Sequence, residues 1–302
     1  MTVDLTQMDA DTTVSVAPRR GIRKGLYLLP SAFTAANIGM GYYAVMGALR
    51  GFQFLHDGSN AEDLLRATAH FDNAARAIGW AILFDTLDGR IARLTKTTTE
   101  LGIQLDSIAD VLTFGIAPAV LTYAWGYGAA LPDGSDLHKV GWFLSFMFLI
   151  CGAFRLARFN VQSLRPRPLA EGTAKVDKKA FVGLPIPAAA GLLAAIVHFS
   201  PTPLVAVKHG AEMAVLYSGL MMALIAALGA LMVSNIRYSS FKMVGAGRRS
   251  TRMVVLLLAA VGMLIWLFSR YVLVAIVATY VLQGVVLRFV GLFRRRSATA
   301  SD

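Results

Sequence analysis

The chain has 302 residues, of which 56% are hydrophobic and 16% charged, with a formal net charge of +11 and a mean hydropathy of +0.58. The hydrophobic share excludes an intrinsically disordered chain, and a single cysteine, Cys151, excludes a disulfide scaffold. Ordinary soluble domains carry about 25% charged residues, so the deficit points to lipid as the solvent, and the placement of the 29 basic residues has to account for the basicity.

Residues 1–27 form a polar tail that ends in a basic cluster, Arg19, Arg20, Arg23 and Lys24. It holds no apolar stretch followed by a small-residue cleavage site, so a cleaved signal peptide is not expected. From there the chain reads as eight apolar segments, each near the roughly 20 residues that cross a bilayer as helix: 28–49, 70–92, 101–124, 139–160, 182–200, 212–234, 253–269 and 271–291. The connection at 269–271 is the tightest, and a seven-span reading merges the segments on either side of it. Residues 50–69 read as an interfacial helix after a Gly-Ser-Asn turn. The loop 126–138 is rich in turn residues and is flanked by Trp125 and Trp142, where interfacial aromatic anchors are expected. The expected fold is therefore an all-α polytopic membrane protein, with a membrane domain over 28–242, two additional transmembrane helices over 243–293 and a C-terminal tail over 294–302.

Alternate connections differ sharply in charge. With the N-terminus in the cytoplasm, the cytoplasmic side holds 23 Lys and Arg and the opposite side 6. This asymmetry predicts both termini in the cytoplasm, and an even number of spans agrees with it. The expected location is a bacterial inner membrane.

The second and third segments carry four aspartates, Asp85, Asp88, Asp106 and Asp110. Ionised carboxylates in membrane helices are costly and generally face a cavity, a counter-charge or a substrate. Asp85, Asp88, Gly89, Ala92 and Arg93 stand at i, i+3, i+4, i+7 and i+8, on one helical face; Gly102, Asp106 and Asp110 stand at i, i+4 and i+8, also on one face. The short connection Leu94–Glu100 makes the two helices antiparallel neighbours, so the acidic stripes can meet. Four converging carboxylates repel unless cations lie between them, and hard divalent ions such as Mg²⁺ or Mn²⁺ suit oxygen ligands. Gly89 and Gly102 leave space for a substrate against backbone, and the planar fork of Arg93 suits a phosphate.

The eight positions of D-x2-D-G-x2-A-R-x8-G-x3-D-x3-D, filled from Asp85 to Asp110, resemble the signature of the CDP-alcohol phosphotransferase family. The resemblance implies a six-helix membrane core, a homodimer, two divalent cations, and displacement of CMP from a CDP-linked lipid by an alcohol. It further implies that Asp85, Asp88, Asp106 and Asp110 are metal ligands and that Asp110 is also the base toward the alcohol, although spacing alone leaves Asp110 open between base and fourth ligand. Asp85, Gly89, Ala92, Arg93 and Gly102 would contact the CDP moiety, as would Thr34 and Asn37 in Leu29-Pro30-Ser31-Ala-Phe-Thr34-Ala-Ala-Asn37, where Ser31 replaces the family's usual Asn.

Three more stretches resemble the phosphatidylserine synthases of the integral-membrane type within that family: Phe154 to Asn160, Phe181 to Gly191, and Ser234 to Tyr238 followed by Phe241-Lys242. They imply CDP-diacylglycerol as donor and L-serine as acceptor. Arg155, Arg158 and Asn160 are candidates for the serine carboxylate, against a reading of each arginine as a headgroup anchor. Glycerol 3-phosphate, an inositol compound or choline are the rival acceptors. An ion-coupled transporter predicts carboxylates spread over several spans, whereas these lie in one hairpin. Nucleic-acid binding fails because the basic residues lie beside spans, with no long soluble segment to form a binding domain.

Overall fold

The computed structural model describes residues 20–57, 60–95, 100–164, 180–206, 211–239 and 251–299. The expected tail up to residue 19, Lys96, the basic stretch 165–179, Lys208, residues 240–250 with Lys242, Arg248 and Arg249, and residues 300–302 lie outside the described residues.

Nine helices follow in order among these: α1 Arg20–Asp57, α2 Ala61–Thr95, α3 Glu100–Asp110, α4 Ala117–Trp125, α5 Tyr127–Ala130, α6 Asp136–Leu164, α7 Ile186–Phe199, α8 Ala211–Val233 and α9 Thr251–Thr299. Two three-residue strands, β1 Ala180–Val182 and β2 Arg237–Ser239, pair antiparallel with Phe181 opposite Tyr238. The architecture is that of an all-α polytopic membrane protein. Among the described residues, five stretches are long and apolar enough to cross a membrane: Glu100–Ala130, Asp136–Val161, Ile186–Ala206, Glu212–Val233 and Ala259–Arg288. α1 and α2, with 38 and 35 residues, also exceed the necessary length. Large apolar side chains such as Trp142, Phe146, Leu220 and Trp266 are exposed, as on helices that face lipid.

Small residues build the centre. Ala44 and Ala48 of α1 and Ala67, Ala74, Ala75, Ala77 and Ala81 of α2 are all buried, and a Cβ added at Gly47 would lie 3.3 Å from the Ala74 side chain. Such side chains let two helix backbones approach closely over several turns, where dispersion contacts replace the hydrophobic effect that lipid does not supply. At Gly51 an added Cβ would lie 2.8 Å from the Phe71 ring. This packing carries both helices through the segment expected as an interfacial helix: α1 continues to Asp57 and α2 begins at Ala61, so the described residues of 50–69 belong mostly to the adjoining ends of two long helices.

The third expected segment is one continuous helix with a change of pitch. After Asp110, a π-helical turn covers Val111–Ile116, and the N–H of Ala117 donates to the carbonyl of Leu112, five residues back. Pro118 follows at once and cannot donate a backbone N–H, which gives the wider turn a local cause. Gly41 of α1 crosses here, where an added Cβ would sit 2.5 Å from Thr113 Oγ1.

The strand pair closes one end of the bundle. Gly183 adopts φ +83°, and a side chain there would run into the Met232 carbonyl. Its N–H donates to Ile236 O at 2.8 Å, and that of Leu184 to Leu231 O at 3.0 Å. Pro185 then caps α7 with extended backbone. The Gly-Leu-Pro-Ile-Pro stretch thus ties the start of α7 to the end of α8.

The seventh and eighth expected segments form one helical element, α9, broken at Phe268 where φ is −132° and ψ is 41°. The kink falls one residue before the expected connection. Beyond it α9 packs antiparallel to α7. Ser269 Oγ meets His198 Nε2 at 2.9 Å, Val277 lies beside Gly191, and Gly284 sits under the ring of Tyr238. His198 Nδ1 donates to Asp72 at 2.5 Å, and Asp72 pairs with Arg76 at 2.6 Å. This polar chain of α2, α7 and α9 was not legible in the sequence. Trp125 also departs from expectation: only 3% exposed, its indole N–H donates to Ser200 O and Thr202 O, so it fastens a loop inside the protein. Trp142 is exposed and stacks on Phe146.

Gly183→Ala is expected to lower the thermal unfolding midpoint in detergent, by a destabilisation of about 1–3 kcal/mol from strain at positive φ. Gly219→Ala, where an added Cβ meets nothing within 4 Å, leaves the midpoint unchanged or raises it.

Candidate active site

The four aspartates lie where α2 ends and α3 begins. Asp85, Asp106 and Asp110 each offer a carboxylate oxygen, and these oxygens lie within 4.8 Å of one another. Asp88 is not one of this group. It is 6% exposed and accepts a hydrogen bond from Thr34 Oγ1 of α1, while remaining an electrostatic neighbour of Asp85 and Asp106. Three members of the expected quartet are therefore brought together, and the fourth is held by α1.

The trio fits a hard divalent cation. Mg²⁺ binds oxygen at 2.0–2.1 Å, so two ligands on one ion stand at most roughly 4.2 Å apart, and small rotations would close the observed spacing. Asp110 Oδ1 is buried without a hydrogen-bond partner. A buried acceptor in that state is costly unless a ligand satisfies it.

Asn37 of α1 adds a second unsatisfied group. It is 1% exposed, and neither its amide nitrogen nor its amide oxygen has a partner. Its backbone carbonyl accepts from Thr113 Oγ1 at 3.2 Å, which locks α1 against the π-helical turn one helical turn beyond Asp110. Thr34 and Asn37, three residues apart, thus present one face to the acidic pair of helices. On α2, Gly89 and Arg93 are exposed and Ala92 half-buried; on α3, Gly102 is exposed. An added Cβ at Gly89 would meet only the Arg93 guanidinium, at 3.7 Å, so the carboxylates open onto an accessible face with Arg93 at its rim.

The three residues expected to hold the serine carboxylate have different surroundings. Arg155 is 8% exposed, interacts electrostatically with Asp110 and the hydroxyl of Tyr280, and lies with its guanidinium carbon 5.8 Å from the Phe159 ring centroid. Arg158 donates to Val233 O at 3.1 Å and Ser234 O at 3.4 Å. These are carbonyls at the end of α8, where a cation complements the helix terminus. Asn160 donates to Ser107 Oγ at 2.8 Å, bridging α6 to the residue after Asp106.

Residues 27–231 match the model of the CDP-alcohol phosphatidyltransferase family. The chain belongs to this family. It is 35% identical over 225 residues to a protein of Helicobacter pylori strain J99, covering 72% of this chain and 75% of the relative. It is 34% identical over 169 residues to one of Methanocaldococcus jannaschii, covering 56% of this chain and 65% of the relative. Both relatives are named CDP-diacylglycerol–serine O-phosphatidyltransferase. In this CDP-alcohol phosphatidyltransferase, Ser107, Thr113 and Tyr280 hold positions around the site that sequence reading did not single out. Each acts through a contact between helices far apart in the chain, so no local spacing marks it.

In a Mn²⁺ titration followed by electron paramagnetic resonance, the wild-type family member is expected to bind the ion. Asp106→Asn should weaken binding by at least roughly tenfold, through loss of one charged ligand from the trio.

Proposed function

We propose that this chain transfers the phosphatidyl group of CDP-diacylglycerol to the hydroxyl of L-serine, giving phosphatidylserine and CMP. The observation that carries this reading is the meeting of Asp85, Asp106 and Asp110 within 4.8 Å, with buried Arg155 as an electrostatic neighbour of Asp110. The names of the relatives from Helicobacter pylori and Methanocaldococcus jannaschii support serine as acceptor.

The donor carries a diphosphate, and the site supplies anionic oxygens, an orphaned amide and a peripheral guanidinium. Asp85, Asp106 and Asp110, with Asp88 nearby, would hold two divalent cations, Mg²⁺ or Mn²⁺. When bound, these would neutralise the diphosphate and stabilise the departing phosphate. Thr34 fixes Asp88, and Asn37 offers its free amide to the nucleotide. Gly89, Ala92 and Gly102 leave room for the CDP moiety, and Arg93 at the rim pairs with phosphate oxygen.

Asp110 is the catalytic base of the reading. Its unpartnered oxygen accepts the proton of the serine hydroxyl as the hydroxyl oxygen attacks the phosphatidyl phosphorus. A P–O bond forms to the serine oxygen, the bond from the same phosphorus to the oxygen bridging it to the CMP phosphorus breaks, and CMP leaves with that oxygen and the electron pair. Arg155 is the candidate for the serine carboxylate. Arg158 and Asn160, engaged with α8 and Ser107, keep α6 in register and so position Arg155.

The reading places the site and both termini on the cytoplasmic side of a bacterial inner membrane, supported by the division of basic residues into 23 and 6. It treats 28–242 as the catalytic membrane domain, 243–293 as a helical addition and the protein as a homodimer, following the family resemblance.

Purified protein given CDP-diacylglycerol, Mg²⁺ and each alcohol in turn is expected to release CMP with serine, and not with glycerol 3-phosphate, inositol or choline. Failure with serine sinks the assignment. Asp110→Asn is expected to lower turnover by roughly 10²–10⁴-fold in protein that still elutes from size exclusion like the wild type.

A further inference from the structure

The family match ends at residue 231, yet the helix beyond it reaches back to the site. Three contacts set the depth of α9. Ser269 meets His198 at the end of α7 remote from the strands, Val277 lies against Gly191 together with Ile82 of α2, and Gly284 sits under Tyr238 of β2. Ile82 is one turn before Asp85, and Val277 is one turn before Tyr280, so Tyr280 is at the level where the carboxylates begin. Its ring lies 5.9 Å from that of Tyr238 at 36°, and its hydroxyl interacts electrostatically with Arg155. Tyr238 is 2% exposed, and its buried hydroxyl has no hydrogen-bond partner.

Arg155 has Asp110 and the Tyr280 hydroxyl as electrostatic neighbours, and the Tyr280 ring packs against that of Tyr238; a guanidinium and phenols are donors of the kind that receives a planar anion. We infer that Tyr280 of α9 and Tyr238 of β2 complete, with Arg155, the pocket for the carboxylate of an amino-acid acceptor. The inference rests on the serine reading above and adds a specificity-determining contribution from outside the family-wide region. Acceptor recognition then depends on α9 being docked. The Asp72–His198–Ser269 chain anchors one end of its packed half, and the seat of Tyr238 against Gly284 anchors the other.

The physical reason for two phenols concerns burial. Arg155 is buried, and a carboxylate bound there gives up hydration of its own, so one ion pair would leave oxygen lone pairs unsatisfied. Neutral hydroxyl donors fill those positions without adding charge. An unpartnered hydroxyl in the free protein is a cost of folding that ligand binding removes.

The test uses steady-state kinetics of the full chain in detergent with CDP-diacylglycerol, Mg²⁺ and serine, together with thermal unfolding. Tyr280→Phe, which keeps the ring against Tyr238, is expected to raise KM for serine roughly tenfold or more, the loss typical of a hydrogen bond to a charged group, with KM for CDP-diacylglycerol within about twofold of wild type. Tyr238→Phe is expected to raise KM for serine while leaving the unfolding midpoint unchanged or higher, because it removes a buried group that has no partner. An unchanged serine KM in both variants, or a parallel rise of both substrates' KM values, would overturn the inference and return the tyrosines to packing. If the wild type released no CMP with serine but did so with another alcohol, the serine reading itself would fall, and this pocket with it.

Discussion

Bringing three carboxylates within 4.8 Å of one another is the constraint around which this bundle is organised. Like charges at that distance in a half-buried site repel strongly, so the helices that carry them must be held together by interactions elsewhere. The Ala- and Gly-rich contact of α1 with α2 supplies much of this hold. It extends over many turns and needs no long side chains, which leaves the ends of α2 and α3 free to present functional groups. The π-helical turn after Asp110 belongs to the same solution. It is bracketed by Pro118 and by the close crossing of Gly41 on Thr113, and π-helical segments recur where a side chain must be re-aimed at a site.

Polar contacts between helices then set the register. Thr34 to Asp88, Thr113 to the Asn37 carbonyl, Asn160 to Ser107 and Arg158 to the end of α8 each join segments distant in the chain. In lipid such groups cannot fall back on water, and each bond also satisfies an atom that would otherwise be buried alone. The remote end has its own version in the Arg76–Asp72–His198–Ser269 chain. There a carboxylate inside the bundle has a cation and an imidazole as direct partners, whereas the trio at the other end faces its own like charges, with Arg155 an electrostatic neighbour of Asp110. The contrast separates the structural carboxylate from those available to a ligand: Asp72 is saturated, and Asp110 retains a buried oxygen with no partner.

How much was legible in advance follows from the range of each interaction. The faces of α2 and α3 were readable because helical periodicity is local, and Asp85, Asp106 and Asp110 meet as their spacing implied. Asp88 shares the stripe with Asp85, but its partner Thr34 lies 54 positions away, and nothing in the stripe indicates that pairing. Arg155 and Arg158 look equivalent at i and i+3, yet one is buried near Asp110 and the other is spent on carbonyls of α8. Trp125 illustrates the same limit, since its indole bonds to a loop some 75 positions on.

The sequence by itself determined the solvent, the family and the acidic hairpin. Hydropathy, one-sided charge and short-range spacing are properties of neighbouring residues, and a helix converts them into faces without further information. Only the tertiary structure decided which polar groups are satisfied and which remain open, because that depends on what another helix brings to the same depth. It also decided that α9, which carries no motif, descends along α7 and brings Tyr280 to the level of Asp85. The physical reason is that packing depth is set by small-residue contacts such as Gly191 with Val277, and these have no periodic signature in the chain.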